Sequence, residues 1–266
     1  MIETFNVVSD VGYKKESEYL ISRFEELLFT RDTSRPHLVI VMKGDGGISE
    51  EGKNQINRGN PDAIILGIKK PIKKRKLYSR ASLAEIKDLR EIDEYIKKIK
   101  NGKYQIEDYT GVDLFIGGEI RSTAFCEVLA IRDTRYDNRA MKFYAYSTDP
   151  NTSGRQKLFA NHFRYDLIVA DGIAIGARLG WGGYQKTCNV PKYNKGIGVG
   201  LLLPSLETED KPRGLVLPES SIVDIELKKG KGFIFTDHDR VARIGYKGLK
   251  KIQVRKSKQK VRFIKF

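Results

Sequence analysis

The sequence predicts an α/β layer at the N-terminus followed by an all-β C-terminal domain. Two observations carry this. Up to residue 102, uninterrupted apolar runs alternate with segments of helical spacing, the pattern of a small open α/β layer. From Lys103 the apolar period drops to two, and short runs broken by Gly and Pro follow without a long helical pattern. We place the boundary there, giving an α/β domain over 1–102 and a β-rich domain over 103–266.

The elements follow in order. Residues 1–9 read as a first strand, and Lys14 to Phe29 as an amphipathic helix, because Leu20, Ile21, Phe24, Leu27 and Leu28 recur at helical spacing. Leu38 to Met42 form a strand that closes on Lys43-Gly44-Asp45-Gly46-Gly47, and a helix or loop carrying Ser49, Glu50 and Lys53 comes next. Ala63 to Ile68 form another strand. Leu83 to Lys100 read as a helix stopped by Asn101-Gly102. In the second domain Tyr104–Tyr109 and Ser221–Leu227 alternate as strands, as does Lys250–Phe266, with Ile252, Val254, Val261, Phe263 and Phe266 facing inward.

Composition narrows the class. At 40% apolar and 31% charged the chain reads as a globular protein, and no stretch approaches the run of about 18 apolar residues that a membrane span needs. The N-terminus has no basic region leading into an apolar core, so we expect a cytoplasmic protein and no membrane partner. Cys126 and Cys188 stand alone, without a histidine at ligand spacing, and neither a disulfide framework nor a metal site is expected. His37, His162 and His238 read as packing or turn residues. The net charge of +15 creates a field for polyanions and phosphorylated metabolites alike. It is concentrated in Lys69, Lys70, Lys73, Lys74, Arg75, Lys76 and Arg80, and in the basic tail from Lys247 to Lys265.

Two glycine-flanked aspartates each follow a strand-like run. The first is Gly44-Asp45-Gly46-Gly47; the second is Asp171-Gly172, after Leu167-Ile168-Val169-Ala170. Glycine lacks the Cβ that would hold a phosphate away from backbone N–H groups, and the aspartate leaves a carboxylate beside the anion. This is a layout for phosphoryl transfer. Later come Cys126-Glu127 and a loop holding Gly180-Trp181-Gly182-Gly183-Tyr184.

In this order and at these distances, from about residue 36 to the C-terminus, the chain resembles the NAD kinase family. Its members carry Gly-Gly-Asp-Gly, then Gly-Ile (here Gly67-Ile68), then Asn-Glu, then Asp-Gly ahead of a hydroxyl-rich loop. The motifs differ here in detail. Lys43 stands in place of glycine, Gly47 in place of threonine and Cys126 in place of asparagine, while Ala177, Leu179, Trp181 and Gly182 replace the hydroxyl residues of the loop.

The resemblance implies an NAD kinase-like two-domain architecture with the C-terminal tail packing back on the first domain. It implies transfer of the ATP γ-phosphoryl to the 2′-hydroxyl of NAD, with ATP and Mg2+ as cofactors. Asp45 then accepts the hydroxyl proton, and Gly44, Gly46, Gly47, Lys73 and Lys74 meet the phosphates. Cys126, Glu127, Asp171, Gly180, Trp181 and Tyr184 form the NAD site, Trp181 by stacking. Small-molecule nucleotides are the expected partners, and a homo-oligomer, dimer or tetramer, the expected assembly. Two alternatives stand beside this: a diverged relative that binds nucleotide, RNA or another polyanion without turnover, and a kinase of the same superfamily acting on a lipid hydroxyl. Nucleic acid ranks below nucleotides because the first basic run follows a strand end, where ligands of open α/β sheets bind.

Overall fold

The computed structural model describes residues 2–68, 84–125, 127–132, 142–148, 154–160, 166–170, 197–202, 214–237, 239–246 and 248–266. They form two compact units, Met1–Tyr109 with Lys260–Phe266, and Thr110–Gln259.

In the first unit, β1 (Thr4–Ser9) leads to α1 (Lys14–Glu26), β2 (Thr30–Arg31), β3 (Leu38–Met42), α2 (Asp45–Asn57), β4 (Ile64–Ile68), β5 (Ala84–Ile86) and α3 (Ile92–Lys100). The strands pair in parallel in the order β2-β1-β3-β4, with β5 on the far end of β4. Every residue of β3 and β4 is buried, which is why both read as continuous apolar runs. On this sheet Phe5, Leu20, Phe24, Ile40, Leu66, Ile92 and Ile96 share one core. Parallel pairing also puts the carboxyl ends of β1, β3 and β4 on one edge. The turn at Gly44-Asp45 leaves the sheet there.

Three expectations are corrected in this unit. The segment Leu83–Lys100 is not one helix. Its start is β5, held by parallel pairing of Ala84 with Gly67 and Ile86 with Ile68, and α3 begins only at Ile92. Between them the Asp88 carboxylate accepts from the Arg90 amide at 3.0 Å and turns the chain. Secondly, Leu28 is not a helix-face residue. The Leu28 amide donates to the Glu25 carbonyl at 3.0 Å and the Phe29 amide to the Phe24 carbonyl at 3.1 Å, a Schellman closure with Leu28 in the left-handed region (φ 71°). Leu28 is therefore 82% exposed, and Phe29 takes the inward place, its ring 5.5 Å from that of Phe24. Thirdly, Phe266 is 36% exposed and packs edge-on against Tyr95 at 4.8 Å, while its neighbour Ile264 enters the core.

Leu28 supports a stability prediction. A residue with a Cβ at positive φ is strained, so Leu28→Gly should stabilise the protein by about 0.5–1 kcal/mol despite the added freedom of the unfolded chain. That corresponds to a rise of about 1–4 °C in Tm for a chain of this size. A lower Tm in thermal melts would show that Leu28 has a packing role outweighing its backbone strain.

The second unit is built from β6 (Gln105–Ile116), β7 (Glu119–Ala124), β8 (Glu127–Arg132), β9 (Lys142–Thr148), β10 (Arg155–Ala160), β11 (Asp166–Ala170), β12 (Ile197–Leu202), β13 (Gly214–Leu217), β14 (Ile222–Lys229), β15 (Gly232–Thr236), β16 (Asp239–Ile244) and β17 (Lys251–Lys265). One antiparallel sheet has the order β13-β12-β11-β8-β15-β16, and β10-β9-β14 pair antiparallel with the first half of β17. The hairpin β6-β7 turns at Gly117-Gly118, both at positive φ, as a two-residue turn between twisted strands demands. Apolar residues of both groups of strands meet in one core that includes Val112, Leu114, Val128, Ile225, Ile234 and Val254.

The last strand serves both units. Lys251 to Arg255 pair with β14, while Arg262 and Phe263 pair in parallel with Ile64 and Ile65 of β4.

The outer face of β9, β10 and β14 carries an ion cluster. Glu226 accepts from Lys228 at 2.8 Å and also pairs with Arg155, and these two cations hold its carboxyl down at about 2. An unfolded glutamate titrates near about 4.3. The cluster's stabilisation is therefore complete above that value and is lost as the pH falls from about 4.3 towards about 2. Glu226→Gln should melt lower than wild type at pH 7, and the two Tm curves should converge across this acid window. Parallel curves would mean that the pair adds no pH-dependent stability.

Candidate active site

In the first unit, Gly44, Asp45, Gly46 and Gly47 lie where β3 hands over to α2. Gly44 is the N-cap, extended at φ −71° and ψ 168°, with no side-chain bond closing the helix start. Asp45, Gly46 and Gly47 form the first turn of α2. The first bond inside the helix runs from the Ile48 amide to the Gly44 carbonyl at 3.0 Å, so the amides ahead of it have no partner within the helix. A Cβ at Gly44 would meet nothing within 4 Å. Amides that the helix itself leaves without a partner, with open space beside Gly44 and the positive end of the dipole behind them, suit a phosphate group.

Two departures from the family pattern prove to be linked. The Lys43 stem lies along Gly47, where a Cβ would come 2.8 Å from Lys43 Cδ and 2.9 Å from its Cβ. Threonine at 47 would collide with that stem. Lysine at 43 and glycine at 47 therefore accommodate each other.

Sequence reasoning missed what anchors α2. Buried Glu51 accepts from Gln55 Nε2 at 2.9 Å and faces Arg58 at 3.4 Å. Asn60 Nδ2 donates to Gln55 Oε1 at 3.2 Å and to the Pro36 carbonyl at 3.0 Å, tying the far end of the helix to the segment that enters β3. His37 ties that segment in turn to the start of β1: its amide donates to Thr4 Oγ1 at 2.9 Å and its Nδ1 accepts from the Glu3 amide at 3.3 Å. His37 is itself exposed, and its hydrogen bonds tie two segments together at the surface.

In the second unit, Glu127 is the first residue of β8, between Phe125 and Val128, both of which are buried. Lys73, Lys74, Cys126, Asp171, Gly180, Trp181 and Tyr184 lie outside the described residues, as do Cys188, His162 and His238. Among the described residues no group of three His, Cys, Asp or Glu is placed to hold a metal, and no helix is long and apolar enough to cross a membrane.

The basic tail is less free than its composition suggests. Lys251 faces Asp224 at 3.5 Å, Lys260 faces Asp108 at 3.3 Å, Arg262 faces Asp62 at 3.5 Å and Lys265 faces Glu85 at 3.0 Å. Arg255 stacks over Phe115 at 4.8 Å.

No protein-family model matches the chain. Among curated proteins, NAD kinase from two strains of Clostridium kluyveri is 24% identical over 237 residues, covering 88% of this chain and 75% of the relative. The crystal structure of an NAD kinase from Archaeoglobus fulgidus in complex with ATP superposes with a TM-score of 0.62 at 14% identity, over 98% of this chain and 92% of that one. Yeast NADH kinase complexed with NADH superposes with a TM-score of 0.70 at 12% identity, over 100% of this chain and 84% of that one. The chain is NAD kinase-like. The alignment with NAD kinases spans both units, so the NAD kinase-like fold includes the β-rich unit that carries Glu127 as well as the Gly44–Gly47 turn.

Proposed function

We propose that this protein is a phosphotransferase that moves the γ-phosphoryl of ATP to the 2′-hydroxyl of NAD, giving NADP. The observation that carries the reading is the start of α2, where Asp45 stands among three glycines at the carboxyl end of a fully buried parallel strand. ATP, together with magnesium, would supply the phosphoryl group and offset its charge. The chain's own residues supply position and field. The first-turn amides of α2, with Lys43, Lys73 and Lys74, hold the phosphates. Glu127 and Asp171 orient the dinucleotide, joined by Cys126, Gly180, Trp181 and Tyr184. Asp45 takes the 2′-hydroxyl proton late in the transfer, once bond formation has made that hydroxyl acidic.

The test is direct. Purified protein with ATP, magnesium and NAD should generate NADP, followed through a coupled NADP-specific dehydrogenase. A second reading is favoured by Cys126 and by the loss of hydroxyls around Trp181: a relative that binds nucleotide without turnover. Binding of NAD or ATP by calorimetry with no NADP formed would select it. We further propose a homo-oligomer, dimer or tetramer, which light scattering would reveal.

A further inference from the structure

Asp237 is a buried carboxylate, 7% exposed, that the reaction does not use. It stands at positive φ (54°), a conformation that costs a non-glycine residue energy and that aspartate and asparagine tolerate best. Thr236 just before it pairs with Val128, so Asp237 leaves β15 opposite the start of β8. Its Oδ2 accepts from the Phe125 amide at 3.1 Å, in the short segment that joins β7 to β8 and leads into Cys126-Glu127.

That segment is held from several sides. The Ser122 and Thr236 hydroxyls lie 2.9 Å apart, with Thr236 fully buried. Thr123 Oγ1 donates to the Asp113 carboxylate at 2.6 Å. Across the hairpin, any Cβ at Gly111 would overlap the Ala124 carbonyl oxygen, so the backbones approach as closely there as glycine allows. A strand end needs none of this merely to turn. Such over-determination around a strained residue is typical of places where geometry serves a function.

We propose that Asp237 is a positioning residue for the dinucleotide site, fixing through the Phe125 amide the backbone from which Glu127 reaches NAD. The proposal rests on the NAD kinase-like reading of Glu127. Asp237 acts through the main chain and touches no substrate. Its loss therefore affects NAD and leaves ATP alone.

Two variants separate backbone strain from the lost acceptor. Asp237→Gly relaxes the positive φ but removes the acceptor; Asp237→Asn keeps an oxygen acceptor and tolerates the same φ. Asp237→Gly should raise the KM for NAD about tenfold, with the KM for ATP within about twofold of wild type, since a buried amide without a partner is costly and local. In hydrogen-exchange experiments on the full chain, the Phe125 amide should exchange at least about tenfold faster in Asp237→Gly, and Asp237→Asn should stay within about threefold of wild type on both readouts. An unchanged KM for NAD in Asp237→Gly overturns the proposal, as does a common rise in both KM values or an Asp237→Asn variant as impaired as the glycine one. Should Asp237→Gly fail to fold, Asp237→Ser, too short to reach the amide, takes its place under the same criteria. If the wild-type protein forms no NADP, the kinase reading fails. The positioning role then stands or falls on the Phe125 exchange rate alone.

Discussion

Asp45→Asn is expected to lower NADP formation by about a hundredfold or more, the range a positioned general base contributes. Asparagine keeps the shape of the side chain and removes the basic oxygen. The loss should appear in kcat and kcat/KM together, with little change in the KM for either substrate, because proton acceptance develops only in the transition state. Stability should change by no more than about 1 kcal/mol, since Asp45 opens α2 at a sheet edge and its charge is worth only about 0.3–1 kcal/mol to the helix start. Thermal melts run beside the assay separate a chemical loss from an unfolded protein. Retention of more than about a tenth of wild-type turnover in a folded variant removes Asp45 from the proton-transfer step.

Gly52→Ala should destabilise the protein by about 2 kcal/mol, lowering Tm by about 5 °C. Helix propensity points the other way, favouring alanine by about 1 kcal/mol in a helix interior. Packing decides the sign. A Cβ at position 52 would overlap Val261 Cγ1 and lie 2.9 Å from Cγ2 and 3.2 Å from Cβ. Val261 is buried on β17, next to Arg262 and Phe263, which pair with β4, and its branched Cβ leaves it almost no rotamer freedom to retreat. Either α2 lifts from the sheet or the strand slips. The rescue is specific: Val261→Ala in the Gly52→Ala background should recover at least half of the loss, although Val261→Ala alone is destabilising through its cavity. A Gly52→Ala variant as stable as wild type would mean that helix and strand are not packed this closely. Because the same helix begins with Asp45, a lifted α2 should also lower turnover.

These residues mark where sequence reasoning succeeds and where it stops. β3 and β4 were readable because a parallel strand buried on both faces must be apolar at every position, and few other elements are. The stop of α3 was readable in Asn101-Gly102, since Gly102 takes the positive φ that ends the helix. α2 was not. Gly46, Gly47 and Gly52 oppose helix formation, and its inner face is built from Ser49, Glu51, Gly52 and Gln55 around the single buried apolar residue Ile48, so no hydrophobic period exists to detect. β5 was absorbed into a helical pattern because three residues cannot outweigh their neighbours until β4 offers them hydrogen bonds. Leu28 was misplaced on the helix face because the Schellman closure rotates the chain beyond the point where helical spacing applies.

The candidate site divides in the same way. Gly44-Asp45-Gly46-Gly47 and Glu127 were visible as motifs, because glycine spacing and a carboxylate are local chemical facts. Asp237 was not, since nothing in Thr236-Asp237 announces a bond to an amide 112 residues earlier in the chain. The basic tail misled for the same reason, as its carboxylate partners Asp62, Glu85, Asp108 and Asp224 are distant in sequence.

By itself, then, the sequence determined the fold class and the family resemblance, both of which rest on periodicity and on short motifs that backbone sterics impose locally. Only the tertiary structure decided that α2 is a helix, that Lys43 and Gly47 belong together, and that Asp237 grips Phe125. Each of these depends on atoms far apart in the chain coming within bonding or collision distance, and such contacts leave no periodic trace in the residues that make them.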